Sequence, residues 1–184
     1  KFRDIVNSSS KLNSTDKLGI TPFLLNQETA KEPSFFEMEL LIDNQTYTYG
    51  FTADNLKVYE EWLYTKEGKA KKEKCLFIRT EEGIGIADDY NEGKGLEEKV
   101  RDNGLFLSTI DSFNGEVARK IIHKIDSFLV ISGINHESWS GFTNDMCNNK
   151  NPNLSFKQEI QDFLNSMNAG FNRFELPEDE KLAK

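Results

Sequence analysis

The chain has 184 residues, 31 acidic against 23 basic side chains, a net charge of −8 and two cysteines. That length suits one domain, or one domain with an appendage, and it can bury a proper core. The acidic balance excludes the basic stripe of a nucleic-acid binder, two distant cysteines exclude a disulfide scaffold, and no apolar run approaches the roughly 20 residues that span a bilayer.

The opening Lys1-Phe2-Arg3-Asp4 reads as the interior of a helix, and no Met precedes it. A fragment of a longer protein is therefore expected. Lys1 to Val6 is predicted to end a helix, Asn7 to Leu18 to form a polar loop, and Ile20 to Leu25, with Pro22 inside it, to be an edge strand or extended segment.

The clearest pattern follows. Phe36, Met38, Leu40 and Ile42 share one face at period two, with Glu37 and Glu39 opposite. Asp43-Asn44 is a turn signal. Tyr47, Tyr49 and Phe51 share a face of the next strand, Gln45 to Phe51. A third strand is predicted over Lys57–Thr65, with Tyr59, Trp62 and Tyr64 in it. Lys69, Lys71, Lys72 and Lys74 fall at a charged tip and read as solvated. A fourth strand over Lys74–Arg79 and a short fifth over Ile84–Ala87 complete an antiparallel meander.

The period then changes. Leu96–Arg101 is a short helix candidate, and Leu105–Ile110 fits a strand or the start of a helix. Phe113, Val117, Ile121, Ile125 and Phe128 form one apolar stripe, so a helix is predicted from Ser112. Phe128–Ile134 fits a strand, and Ser138 to Asn153 reads as loop. Phe156, Ile160, Phe163, Leu164 and Met167 mark a second amphipathic helix, with Ser155 as its N-cap and Gly170 as its stop. The fold class is α+β: an antiparallel sheet over residues 1–95, helices over 96–174 and a charged tail over 175–184.

No self-contained chemistry emerges from the residues. Neither Gly68-Lys69 nor Gly93-Lys94 is a phosphate-binding P-loop, because the earlier Gly and the following Ser or Thr are missing. His123, His136, Cys75 and Cys147 are too dispersed for zinc. His123 lies off the apolar stripe, and His136-Glu137 reads as solvated loop rather than an acid/base pair. Glu60 and Glu61 are neighbours on a strand and must point to opposite faces. Asp88-Asp89 lacks the spacing of a calcium loop.

Several stretches resemble one family. They are Pro22-Phe-x-Leu, Ser34-Phe-Phe-Glu, Tyr47-x-Tyr-Gly-Phe, Glu60-Glu-Trp-Leu-Tyr, Asn103-Gly-Leu-Phe-Leu-Ser108 and Val130-Ile-Ser-Gly133. In this order they are similar to the region after the P-loop in bacterial AAA-family ATP-binding proteins with an ABC/SMC-like head. These are relatives of the OLD nucleases and abortive-infection ATPases. The resemblance runs from Lys1 to about Phe174. It implies a fragment lacking the P-loop and the Walker B acid. It implies ATP and Mg²⁺ as cofactors of the intact protein, a homodimer through the heads, and a nuclease or other protein partner; the two cysteines, Cys75 and Cys147, read as free thiols in a reducing cytosol. Anti-phage defence or DNA transactions would be the setting.

Relatives often place a glutamine after the Leu-Phe-Leu-Ser segment, where it contacts magnesium and water. Ser112 stands at that position here, with Asp111 before it and Asn114 after it. The resemblance makes these three the nucleotide-proximal candidates, although Ser for Gln departs from the pattern. The residues themselves also fit Ser112 as N-cap of the following helix. The alternative to the ATPase reading is a non-catalytic protein-interaction module, using the sheet or the Trp139–Asn153 loop.

Overall fold

A computed structural model describes residues 1–24, 29–68, 72–130, 156–167 and 170. The chain separates into two units, Lys1–Leu129 and Val130–Lys184.

The first unit opens with α1 (Phe2–Ser8), which runs on into a 3-10 turn at Ser9–Lys11. The helical segment is thus longer than the sequence pattern indicated. Ile20 to Leu24 is not a strand; Leu18 and Gly19 instead donate their N–H groups to the backbone and side-chain oxygens of Asn55.

Five strands follow: β1 (Ser34–Ile42), β2 (Gln45–Ala53), β3 (Val58–Glu67), β4 (Lys74–Thr80) and β5 (Gly83–Ile86). They pair antiparallel in chain order. The β1–β2 turn is Asp43-Asn44, with φ of 50° and 64°. Two left-handed residues are what a type I′ hairpin turn requires, and Asp and Asn tolerate that region better than most. Ladder irregularities at Thr52/Ala53 and Leu63/Tyr64 bend the sheet.

The inner face carries Phe36, Leu40, Tyr49, Phe51, Leu63 and Phe77. α1 lies against it: Phe2 stacks on Phe51 at 5.5 Å, and Ile5 and Val6 are buried. The outer face carries Phe35, Glu37, Glu39 and Leu41 from β1 and Glu60, Trp62 and Tyr64 from β3.

Beyond the sheet, Leu96–Arg101 holds only a 3-10 turn at Glu97–Lys99. Phe106–Ile110 belongs to α2 (Phe106–Ser112), with Leu105 just before it as N-cap, so the helix option holds. The stripe from Phe113 to Phe128 is not one helix. It is interrupted at Phe113–Gly115, and α3 spans Glu116–Asp126. Ile121 and Ile125 are buried, whereas Phe113 and Phe128 lie outside α3 and are exposed. Residues 96–129, expected in a separate helical part, share one core with the sheet: Phe106 meets Phe77 edge-on at 5.0 Å.

In the second unit, α4 (Phe156–Ser166) carries the expected helical spacing. Gln158 donates to Asp162 and Gln161 to Asn165 along its polar side. Gly170 has a φ of 78°. Lys69 and Lys71 of the charged tip lie outside the described residues. So do Ser155, His136, Glu137, Cys147, the Trp139–Asn153 loop and most of Phe128–Ile134, while Phe128, Leu129 and Val130 are not in a strand. No helix among the described residues is long and apolar enough to cross a membrane.

Candidate functional site

The three candidate residues sit at the end of a helix whose beginning is fixed by the sheet. Alternation along β3 puts Glu61 on the inner face, opposite Arg79 of β4 and buried completely. Glu60 points outward and is exposed, so the two carboxylates do not meet. A buried carboxylate needs partners. Glu61 accepts the backbone N–H of Phe106 at 2.6 Å and of Leu107 at 2.9 Å, and the hydroxyl of Tyr49 at 2.9 Å. Arg79 lies 3.8 Å from its Oε2.

The two amides are the first two of α2. Leu105, the N-cap, offers no side-chain oxygen, so a carboxylate from the sheet does the capping. Burial pushes the Glu61 carboxyl above its usual range, while the two backbone N–H groups, Arg79 and Tyr49 pull it back. Burial, with Glu61 alongside, pushes the Tyr49 phenol far up, so Tyr49 stays a donor.

The loop before α2 is held from both sides. Arg79 donates to the carbonyls of Gly104 at 2.6 Å, Arg101 at 3.2 Å and Asp102 at 3.4 Å. The buried amide of Asn103 donates to the carbonyls of Asn13 and Asp16 at 2.7 and 2.9 Å. α1 is joined in too: Ser108 Oγ donates to the carbonyl of Val6 at 3.0 Å, and Leu105 N–H to Ser9 Oγ at 3.2 Å.

α2 has seven residues, so it carries this fixed position roughly 10 Å to its C-terminal end. There the structure brings Asp111, Ser112 and Asn114 into one turn. Gly115 N–H donates to Ile110 O at 3.0 Å and Asn114 N–H to Asp111 O at 2.8 Å. With Asn114 at φ 68°, this is a Schellman helix stop. Ser112 is the last residue of α2 and not a helix N-cap. Its hydroxyl donates back to Ser108 O at 2.8 Å, and Gly115 holds the N-cap position of α3. Glu92 supplies the cap from a distance, its two carboxylate oxygens each 3.0 Å from the N–H of Val117.

Ser112 borders a small cavity of about 140 Å³, shared with Ser9, Thr109, Lys99 and Arg101. Both cations there are engaged: Arg101 donates to Leu12 O at 2.6 Å, and the Lys99 ammonium sits 4.6 Å from the Phe113 ring centre. Asp111 is half-buried, and Ser112 and Asn114 are exposed.

The other residues weighed from the sequence do not converge. Asp89 pairs with Lys74, which holds its carboxyl below the usual range. His123 is exposed on α3. Cys75 is half-buried, its thiol pushed up by burial. Among the described residues no group of three or more His, Cys, Asp or Glu is placed to hold a metal.

Glu61 and Glu92 were missed as organising residues. For Glu61 a signal existed: it is a charge in the apolar phase of β3, in step with Leu63. For Glu92 there was none, because its partner Val117 is 25 residues away.

No family model, no curated protein and no solved structure matches the chain.

Proposed function

We propose that this chain is part of an ABC/SMC-like ATPase head. Under this reading the intact protein binds and hydrolyses ATP with Mg²⁺ between two heads. It works in the cytoplasm with a nuclease or other protein partner, in anti-phage defence or DNA transactions. The observation that carries the reading is the placement of Asn103–Ser108. This motif of the resemblance is clamped between the middle of the antiparallel sheet and α1, and it leads directly into Asp111, Ser112 and Asn114. A nucleotide-sensing turn needs such a rigid support.

The donors at that turn limit its role. Asp111 offers a carboxylate, Ser112 a hydroxyl already donated to Ser108, and Asn114 an exposed amide. Such a set can touch a magnesium-bound water but cannot cradle a triphosphate. ATP and Mg²⁺ would be held chiefly by elements outside this chain, with these residues orienting water at the edge.

The test is ATP binding and turnover by the complete gene product, with and without Mg²⁺. Magnesium-dependent turnover is expected. A product that neither binds nor hydrolyses ATP overturns the reading. It would leave a protein-interaction module, a role favoured by the exposed apolar side chains on the outer face of the sheet.

A further inference from the structure

The outer face of the sheet carries an open groove with an unusual lining. Two adjoining cavities, of about 690 and 330 Å³, share Glu60 and Thr80. One is floored by Trp62, Tyr64 and Ile78; the other is edged by Tyr59, Glu32, Glu81 and Glu82. Among the described residues the lining has carboxylates along its length and one cation, Arg79, while Lys57 reaches in at one end to pair with Glu81. The Arg79 guanidinium is spent on the inner side, on the carbonyls of Gly104, Arg101 and Asp102. The groove therefore presents negative charge over aromatic faces.

Its aromatic floor is built and held. Gly50 lies beneath the Trp62 ring, where a Cβ would come within 2.5 Å of the indole. The ring therefore lies flat across β2 from β3 toward β1. There it donates Nε1–H to Glu37 at 2.9 Å and packs against Phe35 with ring centres 5.5 Å apart. Phe35, packed against the indole, is 64% exposed. Apolar surface of this kind, rimmed by charge, marks an interaction site.

We infer that this groove docks an extended, cationic segment of a partner protein, a strand bearing arginine or lysine. Ammonium and guanidinium groups are attracted to aromatic faces and pair with carboxylates. The chain shows this chemistry at the end of the groove. Lys57 Nζ sits 4.2 Å from the Tyr59 ring centre and 2.8 Å from Glu81. A second copy of the chain is a poor occupant, because two acidic faces of a −8 chain repel. Nucleic acid is excluded by the same sign of charge. The inference stands whether or not the chain belongs to an ATPase.

The test uses the complete protein and a blocked nonapeptide of alternating arginine and valine. The same peptide with glutamate for arginine, and spermidine, serve as controls. The readout is the indole N–H resonance of Trp62, assigned by its loss in Trp62→Phe. The arginine peptide is expected to shift it saturably, and Glu37→Gln with Glu60→Gln should weaken binding by roughly tenfold, or about 1.4 kcal/mol. The amide introduced by Glu37→Gln can still accept from the indole, so an unchanged thermal midpoint shows that the groove survives. Glu98→Gln, in the turn before α2, should leave affinity unchanged. Equal binding of the glutamate peptide overturns the inference. So does binding indifferent to the double substitution, or a response to spermidine alone.

Discussion

The carboxylate of Glu61, on the middle strand of the sheet, accepts the backbone N–H of Phe106 at 2.6 Å, across 45 positions of sequence. This contact makes the sheet the N-terminal cap of α2. It sets where the Asp111–Asn114 turn stands relative to α1.

Removing that carboxylate should be severe. Glu61→Ala leaves the N–H groups of Phe106 and Leu107 and the Tyr49 hydroxyl without their buried acceptor, and removes the carboxylate that faces the Arg79 guanidinium at 3.8 Å. The expected cost is about 3–5 kcal/mol, read as a lower urea midpoint with the slope unchanged. Glu61→Gln, which keeps an acceptor, should lose less. A loss under about 1 kcal/mol for Glu61→Ala would mean the cap carries little of the fold.

Gly50 should not tolerate a methyl group. A Cβ there meets Trp62 Cζ2 at 2.5 Å and Phe36 O at 2.7 Å. Gly50→Ala is expected to cost about 1–3 kcal/mol and to move the indole off Glu37. Denaturant unfolding and the Trp62 indole resonance measure both effects.

At Asn114 the backbone is left-handed, with φ 68°. Asn114→Gly should be neutral or stabilising. Asn114→Val should lose about 1–2 kcal/mol, because a branched side chain clashes in that region. The thermal midpoint of Asn114→Gly should match or exceed the parent value, and that of Asn114→Val should fall below it.

Acid should loosen the link between α1 and α3. Arg3 and then Asn7 hold the Asp126 carboxyl below its usual range. A lowered folded pKa gives stability that is complete above the unfolded value, about pH 4. That stability is lost as pH falls through the folded value. Glu116, lowered by Lys120, acts in the same direction. Thermal midpoints taken from about pH 5 down to about pH 2 should therefore fall, and Asp126→Asn should fall less steeply over that interval.

The sheet was legible because period-two alternation survives in Phe36–Ile42 and Tyr47–Phe51, and because Asp43-Asn44 can adopt two left-handed φ values. The helices were less so. Phe113 sits in phase with Val117 and Ile121, so the sequence pattern ran one helix through a Schellman stop that only Asn114-Gly115 signals. Ser112 looked like a cap because serine often is one; in the fold its hydroxyl turns back to Ser108. The burial of Glu61 was signalled by its place in the apolar phase of β3, but its capping partner was not, because helix capping is normally read from adjacent residues and here donor and acceptor lie 45 positions apart. The exposed groove was half-visible: the aromatic content of β3 was plain, but not that Trp62 and Tyr64 face away from the core.

The most direct test of the ATPase reading is magnesium-dependent ATP hydrolysis by the complete gene product carrying Asp111→Ala, beside the parent and Glu98→Gln. The account predicts turnover in the parent and in Glu98→Gln. It predicts a loss of roughly tenfold in Asp111→Ala, about 1.4 kcal/mol of barrier, with the urea midpoint unchanged. Parent-level turnover in Asp111→Ala, or no turnover in the parent, would contradict it.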